Sequence, residues 1–400
     1  MKIKKKNKFV LYTFFGLYFL VGLITYQDYG INIEEHTQLY SGLYWLNYVF
    51  DFFEINFLKE NILEHLNTFV SDKSLPDPSF FTYGPIFDLP TAFVDVIFNI
   101  KKNSFYFEYR HFIVFFIFYL SSVIFFKVLI KRFNNFFVSF FGILMYIFSP
   151  RIYGDSFHNN KDIIFLSFIV FSIYFAFKVF EKKKTKNILL FCLFSAISTS
   201  TRVIGLFLPI SLIIFLYLEK LNDKSKSNIK IIITIILSYF LFLFIHWPYL
   251  WESPFLSFIE FISKSKDWIF VHYILFDGEY ILTTSLPDSF IFTWIGISSP
   301  ILNLVLLIFG FYYLGKRFFY RFILVDQVKN NDCDFWRGKN EMKDYYIFIN
   351  FVSIISVLIF LNVSLTSGWR HLYFLNFFMI YICAYSVKFF TINFKNTIHY

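Results

Sequence analysis

Two adjacent carboxylates, Glu34 and Glu35, come a few residues after the first apolar run of the chain. A carboxylate beside bulky apolar side chains at a membrane boundary is partly desolvated, and desolvation makes it a better proton acceptor. The pair therefore predicts a general base, the group that removes a proton from an attacking hydroxyl. A solvated pair of acids in an ordinary loop explains the same spacing, so both interpretations stay open at this point.

A second polar cluster has the sequence SPRIYGDSFHNNKD, residues 149–162, and separates two apolar runs. Its side chains suited to binding or catalysis are Arg151, Asp155, His158, Asn159, Asn160, Lys161 and Asp162. This density exceeds what a plain turn needs, and polar residues kept at membrane depth commonly serve a function. His158 with Asp155 and Asp162 could bind a divalent cation, but a single histidine without a defined geometry leaves the metal unknown.

Three more polar groups belong to short segments between apolar runs. Arg202 lies in STSTRVIG, and Arg370 and His371 lie in SGWRHLYF. A planar guanidinium can bind a phosphate through two parallel hydrogen bonds. Each group alone could instead be an interfacial anchor, as could the aromatic residues of HWPYLWESP at 246–254. Together they predict a cationic surface suited to a phosphate.

Lipid is the main solvent of this chain, because 57% of its 400 residues are hydrophobic, only 16% are charged, and the mean hydropathy is +0.57. The net charge is +9, but the lysines occur in short clusters between apolar runs, where they act as topology signals. No basic patch is interleaved with a folded soluble module, so we expect no nucleic-acid partner.

Apolar runs long enough, or nearly so, to cross a hydrocarbon layer of about 30 Å recur along the chain. They cover about 9–27, 111–130, 135–149, 163–180, 188–200, 204–218, 231–247, 290–314, 345–363 and 372–387. The first run follows five lysines within Met1–Lys8, and no small-residue cleavage site comes after it, so we expect an uncleaved anchor. The sequence therefore predicts an all-α polytopic membrane protein with about ten transmembrane helices.

The segment 84–100 decides the topology, because it is apolar but contains two prolines and two aspartates. If it lies on the membrane surface, the segments on one side hold 24 Lys and Arg in 74 residues. The segments on the other side then hold 11 in 149 residues. The positive-inside rule therefore favours a surface position for 84–100, with both chain termini in the cytoplasm.

This topology predicts two large exterior loops, 28–110 and 248–289, and a cytoplasmic loop at 315–344 that is too small for a domain. We therefore expect a single integral membrane domain over 1–400. The apolar residues of YSGLYWLNYVFDFF recur at helical spacing in the first loop, so we expect interfacial helices there. The cysteines lie outside the predicted exterior loops, and no disulfide is expected among Cys192, Cys333 and Cys383.

The order of these features resembles the polytopic GT-C glycosyltransferases. More narrowly, it is similar to the family 39-like bacterial relatives of protein O-mannosyltransferases and aminoarabinose transferases. The resemblance runs from about residue 9 to about residue 387 through short motifs. These are an acidic pair after the first helix, a Tyr83-Gly84-Pro85 segment, Arg110 opening the next span, and an NNKD turn before a later one.

The resemblance also implies roles for particular residues. The family's catalytic acid, usually within an Asp-Glu pair, matches Glu34 and Glu35, which leaves open which of the two is catalytic. A second family acid matches Asp162, with Asp155 as the fallback. Relatives carry a Lys-Pro-Pro-like motif where this chain has Tyr83-Gly84-Pro85, so that lysine is missing here. The residues assigned to the donor phosphate or substrate are Arg151, Asp155, Asn160, Lys161, Arg202, Arg370 and His371.

The family's donor is a polyprenyl-phosphate sugar, which implies transfer of a hexose or pentose to a hydroxyl of a glycan, lipid or protein acceptor, with inversion. The expected location is the inner (cytoplasmic) membrane, among membrane lipids, with the active site on the periplasmic or exterior face. A divalent cation could take part, and no other cofactor is implied.

Two other classes of protein remain as alternatives. A transporter or flippase for a lipid-linked or small solute explains the helices equally well, but it would place charges within the spans and often show repeated halves. An oligosaccharide polymerase or ligase would also have a large exterior loop with arginines. The absence of repeats and the clustering of polar groups outside the spans favour the transferase.

Overall fold

The computed structural model describes residues 4–70, 81–100, 104–222, 228–266, 271–323, 335–365 and 368–397. Its helices are α1 Lys5–Thr25, α2 Ile33–Phe52, α3 Lys59–Val70, α4 Asp88–Phe98, α5 Ser104–Phe133, α6 Phe136–Ile147, α7 Pro150–His158, α8 Asp162–Glu181, α9 Thr185–Thr201, α10 Phe207–Asn222, α11 Ile229–His246, α12 Pro254–Lys266, α13 Phe290–Ser298, α14 Ile301–Ile323, α15 Lys339–Phe360 and α16 Leu375–Thr397. Short 3-10 helices occupy Val203–Leu206, Pro248–Leu250 and Arg370–Leu372. Two strands, β1 Tyr273–Phe276 and β2 Glu279–Leu282, pair in antiparallel fashion.

The prediction of an all-α polytopic membrane protein is confirmed. Within the described ranges, eight helices are long and apolar enough to cross a membrane, and the pair α6 and α7, bent by 63°, would be a ninth span. The apolar helix α9 has only 17 residues and packs between α8 and α11. A hydrocarbon layer of about 30 Å needs about 20 helical residues, so a helix of this length crosses only a thinned layer.

The predicted single run 290–314 is wrong in one respect, because the structure breaks it between α13 and α14. Ser299 has an extended backbone, with φ −100° and ψ 141°, and precedes Pro300. Proline disfavours the helical conformation in the residue before it, so the first helix ends there. The break leaves α13 only nine residues long.

The first predicted exterior loop contains α2, α3 and α4, none of which qualifies as a span. The helix α4 has 11 residues and rises about 16 Å, roughly half the hydrocarbon thickness. The three helices share a small core separate from the main one, which includes Leu43 of α2, Ile62 of α3 and Val96 of α4. This packing supports the interpretation of 84–100 as a segment that does not cross the membrane.

The hairpin of β1 and β2 lies in the loop predicted at 248–289 and was not expected. Its two central residues, Asp277 and Gly278, have φ of 53° and 84°. An Asp-Gly pair is the usual sequence for a two-residue turn that needs positive φ at both positions. The FDGE sequence was therefore an available signal for this hairpin.

The helix α8 runs through the middle of the bundle, packed against α5, α9, α10, α15 and α16. It is apolar on all sides, as expected for a buried helix. Polar groups gather at its two ends, where Asp162 begins the helix and Glu181 ends it. Cys192 and Cys383 are buried thiols in α9 and α16, and Cys333 lies outside the described residues.

A buried ion-pair network ties the bundle together near the C-terminal end of α8. Arg132 of α5 donates through Nε to Asp344 of α15 at 2.6 Å, and Tyr381 of α16 donates its hydroxyl to the same carboxylate at 2.8 Å. The neighbouring Lys343 pairs with Glu181 at 2.6 Å. Because Asp344 is fully buried, its charge depends on these donors for compensation.

We expect Asp344→Asn to destabilise the folded protein by about 3–5 kcal/mol, because it leaves the Arg132 guanidinium without its compensating charge. The measurement is thermal unfolding of the purified protein in detergent. A matched control is Glu260→Gln, which removes an exposed partner of Lys264 and should change stability by less than about 1 kcal/mol. Unfolding of both variants at the same temperature would contradict this expectation.

Candidate active site

The first turn of α2 carries the acidic pair and is closed by a capping box. The Glu34 main-chain N–H donates to Asn32 Oδ1 at 3.1 Å, and the Asn32 main-chain N–H donates to Glu35 Oε1 at 2.7 Å. The second oxygen of Glu35 lies 3.0 Å from Nε2 of His111 in α5. Glu35 is only 3% exposed, and both of its carboxylate oxygens are held by protein groups.

Glu34 has a different environment. Its side chain is 41% exposed, and its Oε1 pairs with the guanidinium of Arg370, which comes from the segment before α16. An accessible carboxylate next to a guanidinium can meet both an incoming hydroxyl and an anionic leaving group. Of the two acids, Glu34 is therefore the one that the geometry offers to a substrate.

Asp162 begins α8 and forms ion pairs with two arginines. Arg202 lies 2.9 Å from Oδ1 through Nε and contacts the same oxygen through a second nitrogen. Arg370 lies 3.2 Å from Oδ2 through Nε, and Asn159 donates to that oxygen at 3.1 Å. Asp162 is 2% exposed. Protein donors lie beside both of its oxygens, and the carboxylate holds the two arginines together.

Close backbone packing brings the Tyr83-Gly84-Pro85 segment to this site. The Gly84 N–H donates to the carbonyl oxygen of Ser200 in the last turn of α9 at 2.9 Å. A Cβ added at Gly84 would clash with the Cβ of Ser200, so a side chain here would push the segment away from α9. The close approach places the ring of Tyr83 3.4 Å from Nζ of Lys161, measured to the ring centroid.

The pKa values of Lys161 and His371, which lie beside the two arginines, are strongly shifted. Burial, with a further contribution from Arg202, lowers the pKa of Lys161 to about 8. Burial and Arg202 also lower the pKa of His371 to about 3, which keeps its ring neutral at physiological pH. Consistent with a neutral ring, Arg370 Nη2 donates to His371 Nε2 at 3.4 Å. The cluster therefore holds two fixed guanidinium charges and one ammonium that burial makes easier to discharge.

Asp88, the first residue of α4, also reaches this cluster. The Asn160 side-chain amide donates to Asp88 Oδ1 at 3.0 Å. Burial raises the pKa of Asp88 to about 7, although Arg110 and Lys161 oppose the shift. Asp88 thus connects the short helix α4 to the turn before α8 through a carboxyl that titrates near neutrality.

Stability should depend on pH through Asp88. Because its pKa is higher in the folded state than in the unfolded chain, proton binding favours folding at low pH, and that contribution is lost as pH rises through about 7. Asp88→Asn resembles the protonated form, so we expect its unfolding temperature to exceed that of the parent protein by a wider margin at pH 8 than at pH 5. Thermal unfolding at both pH values is the measurement, and parallel pH profiles for the two proteins would contradict it.

The remaining predicted residues lie along α7, next to the turn that leads to Asp162 and its two arginines. Asp155 is 3.7 Å from His158 and accepts a hydrogen bond of 3.4 Å from Asn159, which links it to Asp162. Arg151 is exposed, with its guanidinium carbon 6.0 Å from the ring centroid of Trp294. In the described part of the chain no three His, Cys, Asp or Glu side chains are grouped so that they could hold a metal ion.

Two contacts of this region were not expected from the sequence. His111 reaches Glu35 from 76 positions away, and no local pattern around it marks such a partner. Arg110, which the resemblance placed at the start of a span, is 2% exposed and pairs with the buried Asp95 of α4. It therefore fastens α4 to α5 and does not contact Glu34 or Asp162 in an ion pair.

The fold and the site together define a class: a polytopic membrane protein with an acid–arginine cluster at the N-terminal end of a central helix. The cluster consists of Glu34, Asp162, Arg202 and Arg370. Residues 97–248 match the family model described as dolichyl-phosphate-mannose-protein mannosyltransferase. This confirms the resemblance to the GT-C superfamily, to which that family belongs, and supports a membrane glycosyltransferase of the GT-C type. Comparisons with curated proteins and with solved structures gave no match.

The matched segment includes Asp162 and Arg202 but ends before Arg370 and begins after Glu34. The name of the matched family refers to a dolichyl-phosphate-mannose donor and a protein acceptor, which are properties of that family. The match therefore covers Asp162 and Arg202, while Arg370 and the candidate base Glu34 lie outside it.

Proposed function

We propose that this protein transfers a hexose or pentose from a polyprenyl-phosphate donor to an acceptor hydroxyl, with inversion. The acceptor belongs to a glycan, lipid or protein, and the reaction occurs on the exterior face of the inner membrane. The observation that carries the proposal is Arg370, which contacts both the exposed Glu34 and the buried Asp162. A base and a phosphate-binding cation thus share one site.

The proposed step is a direct displacement. Glu34 removes the proton from the acceptor hydroxyl, and the oxygen attacks the anomeric carbon as the bond to the phosphate oxygen breaks. The electron pair of that bond leaves with polyprenyl phosphate, and the two arginines stabilise its charge. Protonated Glu34 then returns its proton to water, to which its side chain is accessible.

Lys161 supplies a third cation to the phosphate in this proposal. No carboxylate lies within ion-pair distance of its ammonium group among the described residues, and the group rests on the ring of Tyr83. Relatives carry a lysine in a motif at the segment where this chain has Tyr83. Lys161 brings an ammonium group to the same segment from the turn before α8, and it would compensate for the lysine that is missing there.

Donor binding would also free the base. In this structure Arg370 donates to Oε1 of Glu34. A phosphate competes for the same guanidinium, because its oxygens accept charge-assisted hydrogen bonds at least as well as a carboxylate does. When Arg370 turns to the phosphate, Glu34 becomes available to the acceptor hydroxyl, so the base is activated only when a donor is present.

The experiment uses the purified protein in proteoliposomes with polyprenyl-phosphate mannose, followed by other polyprenyl-phosphate hexoses and pentoses. Release of polyprenyl phosphate together with a glycosylated acceptor from a membrane extract is the expected result. The glycolipid and glycoprotein profile of a deletion strain identifies the sugar and the acceptor in parallel. Movement of the donor across the bilayer with its sugar still attached would contradict the proposal and favour a flippase.

A further inference from the structure

We infer that His111 is a positioning residue for the proposed reaction: it orients Glu34 indirectly, through Glu35 and Asn32. The inference rests on the proposed function, because it concerns the direction of the proposed base. The family match supports a transferase but gives His111 no role. A continuous chain of hydrogen bonds starts at His111 on α5 and ends at the backbone of Glu34.

The first connection joins His111 to Glu35. His111 is 2% exposed, and its Nε2 lies 3.0 Å from Glu35 Oε2. The other oxygen of Glu35 accepts the Asn32 N–H. An ionised carboxylate is only an acceptor, so the bond between the two side chains requires the proton on Nε2 of His111. His111 therefore acts as a buried donor that holds the Glu35 side chain in place.

The second connection joins Glu35 to Glu34. Asn32 accepts the Glu34 N–H on its side chain while its own N–H binds Glu35, and both bonds close the first turn of α2. Glu34 and Glu35 are successive residues in that turn. If the Glu35 side chain loses its anchor, the turn can fray, and the direction of the Glu34 side chain changes with it.

The anchor matters because the two halves of the site belong to different elements. Glu34 is carried by α2, which packs mainly on α3 and α4, whereas Asp162 begins α8 in the bundle. The helix α5 packs directly against α8 and carries His111. The contact between His111 and Glu35 thus connects the turn that carries the proposed base to the helix that lies beside the arginines.

The test compares His111→Phe, which keeps a ring but loses the donor, with His111→Gln, which keeps an N–H donor. Each variant is expressed in the deletion strain at matched protein level, where the natural donor and acceptor are present. We expect His111→Phe to lower product formation by roughly ten- to a hundredfold, the size of effect known for small misplacements of reacting groups. We expect His111→Gln to restore most of it.

Two further measurements separate positioning from a general loss of structure. Purified His111→Phe should bind polyprenyl monophosphate within about twofold of the parent protein, because Arg202 and Arg370 are untouched. Amide hydrogen exchange should accelerate at residues 32–35 in His111→Phe and return to normal in His111→Gln. The matched control is His65→Phe, which removes another buried histidine of the first loop and should keep full product formation.

Full product formation by His111→Phe would overturn the inference, as would an equal loss in His111→Gln or a parallel loss of polyprenyl monophosphate binding. Glu34→Gln distinguishes this failure from failure of the proposed function. If Glu34→Gln abolishes the product while His111→Phe does not, only the role of His111 is wrong. If Glu34→Gln forms the product at the normal rate, the proposed base itself is wrong.

Discussion

Glu34→Gln should lower sugar transfer by about two to four orders of magnitude, the usual contribution of a positioned general base. The amide keeps the size of the side chain but cannot take a proton from the acceptor hydroxyl. Affinity for polyprenyl monophosphate should stay the same or increase, because the substitution removes a carboxylate that competes for Arg370. Turnover and binding are measured on the same purified protein, the first as labelled sugar reaching the acceptor.

Glu35→Gln is the matched control for this expectation. It makes the same substitution at the adjacent residue. There, however, the side chain is buried and its oxygens bind Asn32 and His111. We therefore expect a smaller loss of turnover than in Glu34→Gln and a measurable loss of stability. Normal turnover in Glu34→Gln, or a larger loss in Glu35→Gln, would reverse the roles of the two acids.

Asp162→Asn should remove both activity and stability. The substitution leaves Arg202 and Arg370 without the carboxylate that holds them, and breaking a buried ion pair in this way costs about 3–5 kcal/mol. The arginines should then lose their common direction, so binding of polyprenyl monophosphate falls along with turnover. Thermal unfolding, binding and turnover of one preparation test the three effects together.

Asp155→Asn is the comparison for Asp162, because Asp155 is the alternative match to the second family acid. Asp155 is 20% exposed at its side chain, and its contacts with His158 and Asn159 are long, at 3.7 and 3.4 Å. Its loss should lower turnover by less than tenfold, a small effect beside that of a positioned catalytic group. Retained phosphate binding in Asp162→Asn, with a loss in Asp155→Asn, would exchange the two assignments.

The apolar pattern was sufficient to predict most of the architecture. A segment that crosses the hydrocarbon layer must satisfy its own backbone hydrogen bonds, so it forms a long helix however it packs. The pattern could not predict the break before Pro300 from hydropathy alone, since both sides of the break are equally apolar. The local Ser-Pro sequence was the available signal. The β-hairpin had a comparable signal in Asp277-Gly278, within a loop whose overall composition suggested only an exterior segment.

The sequence also limited the site to a few acids and cations, but it could not distinguish Glu34 from Glu35. Asn32 and Glu35 form the capping-box pattern of a helix start, which in principle assigns Glu35 to a structural role. The contacts of Asp88 with Asn160 and of His111 with Glu35 depend on how distant helices pack. No periodicity or spacing in a single sequence carries that information.

The pairing of Glu34 with Arg370 joins residues 336 positions apart, and this has a consequence for biogenesis. During synthesis the chain inserts from its N-terminal end, so Arg370 reaches the membrane only after nearly every other helix has entered it. The proposed base and leaving-group cation therefore meet in the last stage of assembly, when α16 packs against α6 and α14. A C-terminally truncated chain that lacks Arg370 should therefore be inert in the proposed transfer, even if its other helices insert.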